Sequence, residues 1–239
     1  MLDKKAHDVI MKDILKDLYS DRLLSTVLVF KGGTACYLFY DLPRFSVDLD
    51  FSLLDNSKNE KILEKVKKIA EKYGEIEESI IKKNTIFTVV SHKRDYQKIK
   101  IEISTRDIKR DYDIKNFLGI SVLVMKKEDM FANKLLALTE RGHFANRDLF
   151  DSYYFFKKIW DINEDIIKDL TEKNLLDYLK YLRDFLENCV VERKILDGLG
   201  QLLEPDQRDW ARKNLKKDLI FEISNYVDSM ERDQKFRRV

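Results

Sequence analysis

Proline, glycine, cysteine and histidine are all scarce here: the 239 residues include 2 Pro, 7 Gly, 2 Cys and 3 His. So little proline and glycine excludes collagen-like, Pro-rich and Gly-rich linker architectures and favours a helix-rich globule. Cys36 and Cys189 lie far apart in apolar surroundings, which excludes a disulfide-dense secreted scaffold and suggests reduced thiols. His7, His92 and His143 are scattered and form no zinc-ligand spacing with the cysteines. No apolar run approaches the roughly 20 residues that cross a bilayer. The opening stretch MLDKKAHDVIMKDILKDL has no apolar core ahead of a cleavage site, so a cytoplasmic protein without a membrane partner is expected. An excess charge of one sign is missing too: 45 Lys and Arg against 43 Asp and Glu leave +2, although 37% of residues are charged. That balance describes solvated helix faces; a local basic patch would be hidden in the total.

What remains is a chain with 44% hydrophobic residues and clear periodicities. Ile10, Ile14 and Leu18 recur among charges, predicting an amphipathic helix over 5–19. STVLVFKGG reads as a strand and turn, and TACYLFYDL as a short buried helix stopped near Pro43. SVDLDFSL alternates, with Val47, Leu49 and Phe51 on one face and Asp48, Asp50 and Ser52 on the other. A helix is expected over 58–73, then two antiparallel strands, TIFTVVSHK and QKIKIEIST, joined by the polar turn HKRDY. ISVLVM is the last convincing strand. Beyond it helices are expected over 127–141, 147–158, 163–169, 172–187, 190–203 and 206–232. There is no internal repeat or low-complexity linker.

Two of the few glycines and one of the prolines fall in KGGTACYLFYDLPRFSVDLDFSL, residues 31–53. Gly32-Gly33-Thr34 ahead of a helix is either a tight turn needing positive φ or a cradle in which exposed amides hold phosphate. Asp48-x-Asp50 on a strand puts two carboxylates on one face, the arrangement hard divalent cations such as Mg²⁺ take; in an acid-rich chain it is also a common coincidence. Glu102 adds a third carboxylate opposite Ile99, Ile101 and Ile103, or else belongs to an ordinary solvated Lys/Glu face. In combination, a phosphate turn and a carboxylate strand put a nucleoside triphosphate and its metals in one cleft. A P-loop NTPase is excluded, because no Gly-x-x-x-x-Gly-Lys-Ser/Thr loop exists.

The string GGTACYLFYDLPRFSVDLDFSL resembles the first motif of the polymerase-β-like nucleotidyltransferases, and its Arg-x-Ser-x-Asp-x-Asp-Phe form resembles the AbiEii/AbiGii toxin family. KLLALTERGHFANRDLFDSYYF, residues 134–155, is similar to that family's later motif, with Ser152 where a leucine or isoleucine often stands. The resemblance implies that Asp48 and Asp50 hold catalytic Mg²⁺ or Mn²⁺, beside the third carboxylate, Glu102, that the strand pattern itself offers as a metal ligand. It implies that Gly32, Gly33 and Thr34 contact the triphosphate, with Arg44 and Ser46 as further phosphate contacts. Lys134 would bind phosphate or stabilise developing negative charge. Asp148 or Asp151, one helical turn apart, would complete the active site, Asp148 being favoured because it follows Arg147 directly. Without the first motif, Lys134, Leu138, Arg141 and the Arg147-Asp148 pair read as surface ion pairs or a helix cap.

The expected fold is therefore α+β: a polymerase-β-like mixed sheet with flanking helices over 1–125, then an all-helical domain over 126–239 that completes the active-site cleft. The expected activity is metal-dependent transfer of an NMP from an NTP to an acceptor hydroxyl. By resemblance the acceptor is RNA, such as a tRNA 3′ end, and the setting a bacterial toxin restrained by an antitoxin. Two other classes stay open: nucleotidylation of a protein hydroxyl, and a non-catalytic NTP-binding module. Arg208, Arg212 and Lys216, with Lys213 and Lys217 beside them, form a helical stripe that fits RNA phosphates or a solvated face equally.

Overall fold

A seven-stranded mixed sheet in the first half of the chain gives way to helices in the second, in a computed structural model describing residues 2–92, 96–106, 111–140 and 145–236. The turn between the two expected antiparallel strands falls partly outside these residues, as do Arg141, His143 and the last arginines of the tail. The chain divides into two compact units, Met1–Lys126 and Lys127–Val239.

The first unit runs α1 (Lys4–Ser20), α2 (Leu24–Val27), β1 (Leu28–Lys31), α3 (Gly32–Phe39), β2 (Leu49–Leu53), α4 (Asn59–Ala70), β3 (Glu75–Lys82), β4 (Thr85–Ser91), β5 (Ile99–Ser104), β6 (Tyr112–Phe117) and β7 (Ile120–Met125). The sheet order is β3-β4-β5-β2-β1-β7-β6. β2 lies between β1, antiparallel to it, and β5, parallel to it. β1 in turn pairs parallel with β7. The strand carrying the acids is therefore central, which explains the unbroken burial of Leu49, Phe51 and Leu53. Phe30 of β1 and Phe51 of β2 pack with ring centroids 5.2 Å apart.

α1 lies on this core with a stripe rotated from the expected one. Met11, Ile14, Leu15 and Leu18 are fully buried, and the stripe begins at buried His7, while Ile10 is only half-buried. Each such apolar side chain contributes about 1.5–3 kcal/mol of burial. Tyr19, at the end of the stripe, donates its hydroxyl to the carbonyls of Leu28 (2.8 Å) and Leu123 (3.0 Å), tying the helix to β1 and β7. Burial pushes its phenol pKa well up, so it stays a neutral donor.

Two strands differ from expectation by being there at all. β3 (EIEESIIK) and β6 (YDIKNF) are the edges of the sheet, half or more exposed and without the apolar alternation that marks a buried strand.

The second unit comprises α5 (Lys127–Glu140), α6 (Asn146–Lys157), α7 (Glu164–Thr171), α8 (Leu175–Cys189) and α9 (Pro205–Phe236). The helix expected over 190–203 is replaced by short 3₁₀ turns at Glu192–Lys194 and Gly200–Leu202. Val190, Ile195, Leu199, Leu202 and Leu203 are buried at spacings that imitate a helix, but Gly198 adopts φ +68 and interrupts it. Asn163 ties two helices: its side chain accepts from Asp165 N and Ile166 N at the start of α7 and donates to Asp129 Oδ1 of α5 at 2.7 Å. The basic stripe of α9 is not uniform. Lys216 donates to the carbonyls of Glu187 and Val190 at the end of α8, leaving Arg212, Lys213 and Lys217 exposed. Among the described residues no helix is long and apolar enough to cross a membrane.

Candidate active site

β1 ends at Lys31 and the chain turns at once into α3, a change of direction that needs left-handed backbone. Gly32 supplies it with φ +75. A side chain there would be strained by its backbone and would also meet Asp50 Oδ2. At Gly33 the backbone is ordinary, but a Cβ would come within 2.7 Å of Arg44 Nη2 and 2.9 Å of Ser46 Oγ. The paired glycines thus let the opening turn of α3 sit directly against Asp50, Arg44 and Ser46. That turn has no side-chain cap. Its leading amides are the orphan donors of a helix N-terminus, and they share a corner with a guanidinium, a hydroxyl and a carboxylate.

The loop between α3 and β2 brings those partners in. Asp41 takes φ +56, and Leu42 N bonds back to Cys36 O, so the chain reverses across the helix end. Arg44 is 3% exposed and Ser46 8%; Arg44 Nη1 donates to Phe45 O at 3.0 Å. A guanidinium this buried is held in a fixed pose, which is what a specific phosphate contact requires. Thr34 behaves differently from the expected triphosphate contact: its side chain is fully buried, and its hydroxyl donates to the main-chain carbonyl of Asp48. Its side chain positions the acid strand.

A second buried donor does the same one residue earlier. His7 Nε2 donates to Val47 O at 2.8 Å. Its Nδ1 is buried without a hydrogen bond among the described residues, and burial holds the imidazole pKa below its ordinary value. The neutral Nε2–H tautomer satisfies the bond it makes and leaves no buried N–H over. Thr34 and His7 together clamp the two carbonyls leading into β2. The sequence signal for His7 was a polar residue four before Met11 on the buried stripe of α1.

From this clamped start, Val47, Leu49, Phe51 and Leu53 are buried while Asp48, Asp50 and Ser52 are half-buried on the other side. The alternation expected at 47–53 is present, with β2 itself beginning at Leu49. Asp50 pairs with Lys31 of β1 on one side and Glu102 of β5 on the other. The register places Glu102 beside Asp50, but Glu102 is exposed. Among the described residues no three Asp, Glu, His or Cys side chains are gathered as a metal site. Asp50 thus lies against Gly32, Asp48 meets Thr34 through its main-chain carbonyl, and Glu102 stands beside Asp50 on the next strand.

The second unit holds a cluster of its own. Lys134, on α5, reaches Asp148 Oδ1 at 2.6 Å and Asp151 Oδ2 at 2.9 Å, both on α6. The lysine side chain is 14% exposed and the two acids 1% and 0%. Both acids therefore engage the lysine. Asp148 belongs to the first turn of α6, where the helix dipole favours a carboxylate. The sequence left the choice between them open because acids three apart on a helix share a face. Ser152 beside them is fully buried.

Residues 13–231 match the family of the AbiEii nucleotidyl transferase toxin of type IV toxin–antitoxin systems. The chain belongs to the AbiEii family. The fold agrees with solved structures. JHP933 from Helicobacter pylori superposes with a TM-score of 0.57 at 23% identity, covering 97% of each chain. A proposed nucleotidyltransferase from H. pylori superposes with a TM-score of 0.55 at 24% identity, covering 92% of this chain and 96% of the other. No curated protein matches the sequence significantly. AbiEii membership makes the chain a nucleotidyltransferase by family.

Proposed function

We propose that this AbiEii-family chain transfers a nucleotidyl group from an NTP to an acceptor hydroxyl, with release of pyrophosphate, and that it uses Mg²⁺ or Mn²⁺. The observation that carries this reading is the close approach of Gly32 and Gly33 to Asp50, Arg44 and Ser46, which sets the start of α3 directly against a carboxylate, a guanidinium and a hydroxyl. The amides of the α3 turn, the Arg44 guanidinium and the Ser46 hydroxyl bind the triphosphate in this reading. Asp48 and Asp50 are the hard oxygen donors that fit a divalent cation, with Glu102 flanking. Such a cation, when bound, neutralises charge on the phosphates and lowers the pKa of an attacking hydroxyl.

The chain's own groups have distinct tasks. His7 and Thr34 hold the backbone ahead of the acids, so their carboxylates do not reorganise as the reaction proceeds. Lys134, held by Asp148 and Asp151, is a cation in a fixed pose whose charge suits an anionic group such as a phosphate. A carboxylate, Glu102 on the strand beside Asp50, accepts the proton of the attacking hydroxyl. We take the acceptor to be RNA, a tRNA 3′ end in particular, and the chain to be a toxin restrained by a cognate antitoxin in the cytoplasm. Family membership supports this, and so do the exposed cations of α9, Arg212, Lys213 and Lys217.

The test is incubation of the purified chain with total tRNA, Mg²⁺ and each α-³²P-labelled NTP in turn, beside an Asp48→Ala/Asp50→Ala control. Label entering RNA, and lost in the control, is the expected outcome. Label on protein instead would move the acceptor to a polypeptide hydroxyl. No label anywhere, with nucleotide still bound, would make the chain a binding module.

A further inference from the structure

The two edges of the sheet are built differently. β3 carries a bulge between Ile76 and Glu78, and Glu75, Glu77, Glu78 and Lys82 line it, both recognised defences against strand addition. β6 has neither a bulge nor a proline along its pairing with β7. It is regular, and it shows Ile114 at 70% and Tyr112 at 41% exposure, with Leu118 at 67% in the adjoining turn.

Its hydrogen-bonding direction follows from that turn. Leu118 and Gly119 both take positive φ, +49 and +86, as a two-residue hairpin of the primed type requires. Phe117 and Ile120 close it, and the register then alternates back to Tyr112 opposite Met125. In such a hairpin the closing pair exchanges hydrogen bonds, so Phe117, Lys115 and Asp113 direct their amides and carbonyls to β7. Tyr112, Ile114 and Asn116 direct theirs outward. Among the described residues no strand pairs with that side.

We propose that β6 pairs antiparallel with β6 of a second copy of this chain, with Ile114 opposite Ile114 on the two-fold axis. Charge selects this register. Outward-facing residues must meet outward-facing residues, so the axis passes through Asp113, Ile114 or Lys115. Centring on Asp113 or Lys115 sets like charges against each other. Centring on Ile114 sets Asp113 against Lys115 twice, in the closer, non-hydrogen-bonded type of pair. These side chains already share a face, with Lys115 Nζ 3.9 Å from Asp113 Oδ2 and 5.0 Å from the Tyr40 ring centroid. A two-fold perpendicular to the sheet keeps that face on the same side in both copies, so each chain's acid meets the other's lysine. The edge of one six-residue strand is smaller than a standard interface of about 1,600 Å², so the dimer is weak and concentration-dependent.

The experiment is sedimentation equilibrium of the full chain over a wide concentration range, with charge variants. The mass of the native chain should rise toward twice that of the monomer. Ile114→Lys, which puts like charges on the axis at an exposed position, should raise the dissociation constant at least about tenfold. Asp113→Lys should do the same, and the double swap Asp113→Lys/Lys115→Asp should restore association, which a merely unfolded variant would not do. In a Cys189→Ser background, Ile114→Cys should form an intermolecular disulfide under mild oxidation. A chain that stays monomeric overturns the proposal, as does a dimer indifferent to these changes. Amides of Tyr112, Ile114 and Asn116 that are protected from exchange in the dilute monomer, or protected only when a different protein is added, would give the edge to another strand and overturn it too.

Discussion

Replacing Lys134 with methionine removes the cation between Asp148 and Asp151, carboxylates that are 1% and 0% exposed. Two buried acids then face each other, and the unfolding free energy should fall by about 3–5 kcal/mol. Denaturant titration measures this, and loss of transfer activity in that variant is informative only in conditions where it stays folded. Asp148→Asn and Asp151→Asn each leave the lysine one carboxylate and should cost less, so transfer lost in either variant while it stays folded would give the cluster a part in the reaction. His7 sets a pH dependence at the same scale. Its folded pKa lies below the ordinary 6.5, so the unfolded chain binds more protons in the interval beneath that value. The stabilisation is fully present above pH 6.5 and is lost as the pH falls from there through the folded pKa. His7→Gln should flatten this part of the stability profile, as read by thermal melts from pH 7 to 5.

At the scale of the element, α6 ends in a conformation that costs energy. Ile159, φ +51 and 86% exposed, takes the left-handed position after the helix while its amide bonds Phe156 O at 2.9 Å. A β-branched residue is strained there, and glycine is the usual occupant. Ile159→Gly should therefore stabilise the chain by about 0.5–1 kcal/mol after the extra freedom of unfolded glycine is subtracted. A melt rising by about 1–4 °C would show it. Gly33→Ala tests the other end of the argument: its Cβ would crowd Arg44 Nη2 at 2.7 Å, so nucleotide affinity should drop with little change in fold. The same elements show what was legible in the sequence. β2 was, because a central strand buries Leu49, Phe51 and Leu53 at every second position and leaves the acids between them. α5 and α6 were as well, but the burial of Lys134 between Asp148 and Asp151 was not, since the same spacing reads as surface ion pairs. β3 and β6 were not, since edge strands bury too little to leave an alternating pattern, and the turns over 190–203 kept a helical spacing without a helix. The clamp by His7 was invisible for another reason: nothing local tells which distant carbonyl a buried imidazole will meet.

For the molecule as a whole, a ligand that binds the native state alone raises its stability by mass action. Mg²⁺ with a non-hydrolysable NTP analogue at 100 times its dissociation constant should add about 2.7 kcal/mol, and Asp50→Asn should abolish the gain. Calorimetry with and without the analogue measures it, and exchange of the Gly32 to Thr34 amides should slow in parallel. The near-cancellation of charge, +2 over 239 residues, means that any salt dependence of RNA binding must come from a local group of cations and not from the field of the whole chain. One feature of the sheet reaches back to synthesis itself. β1, which launches the glycine turn, is flanked on one side by β2 and on the other by β7, Ile120–Met125. A nascent chain cannot close that side until β7 has left the ribosome. Products of translation that stops short of Ile120 therefore expose β1 as a raw edge, open to pairing with any other strand.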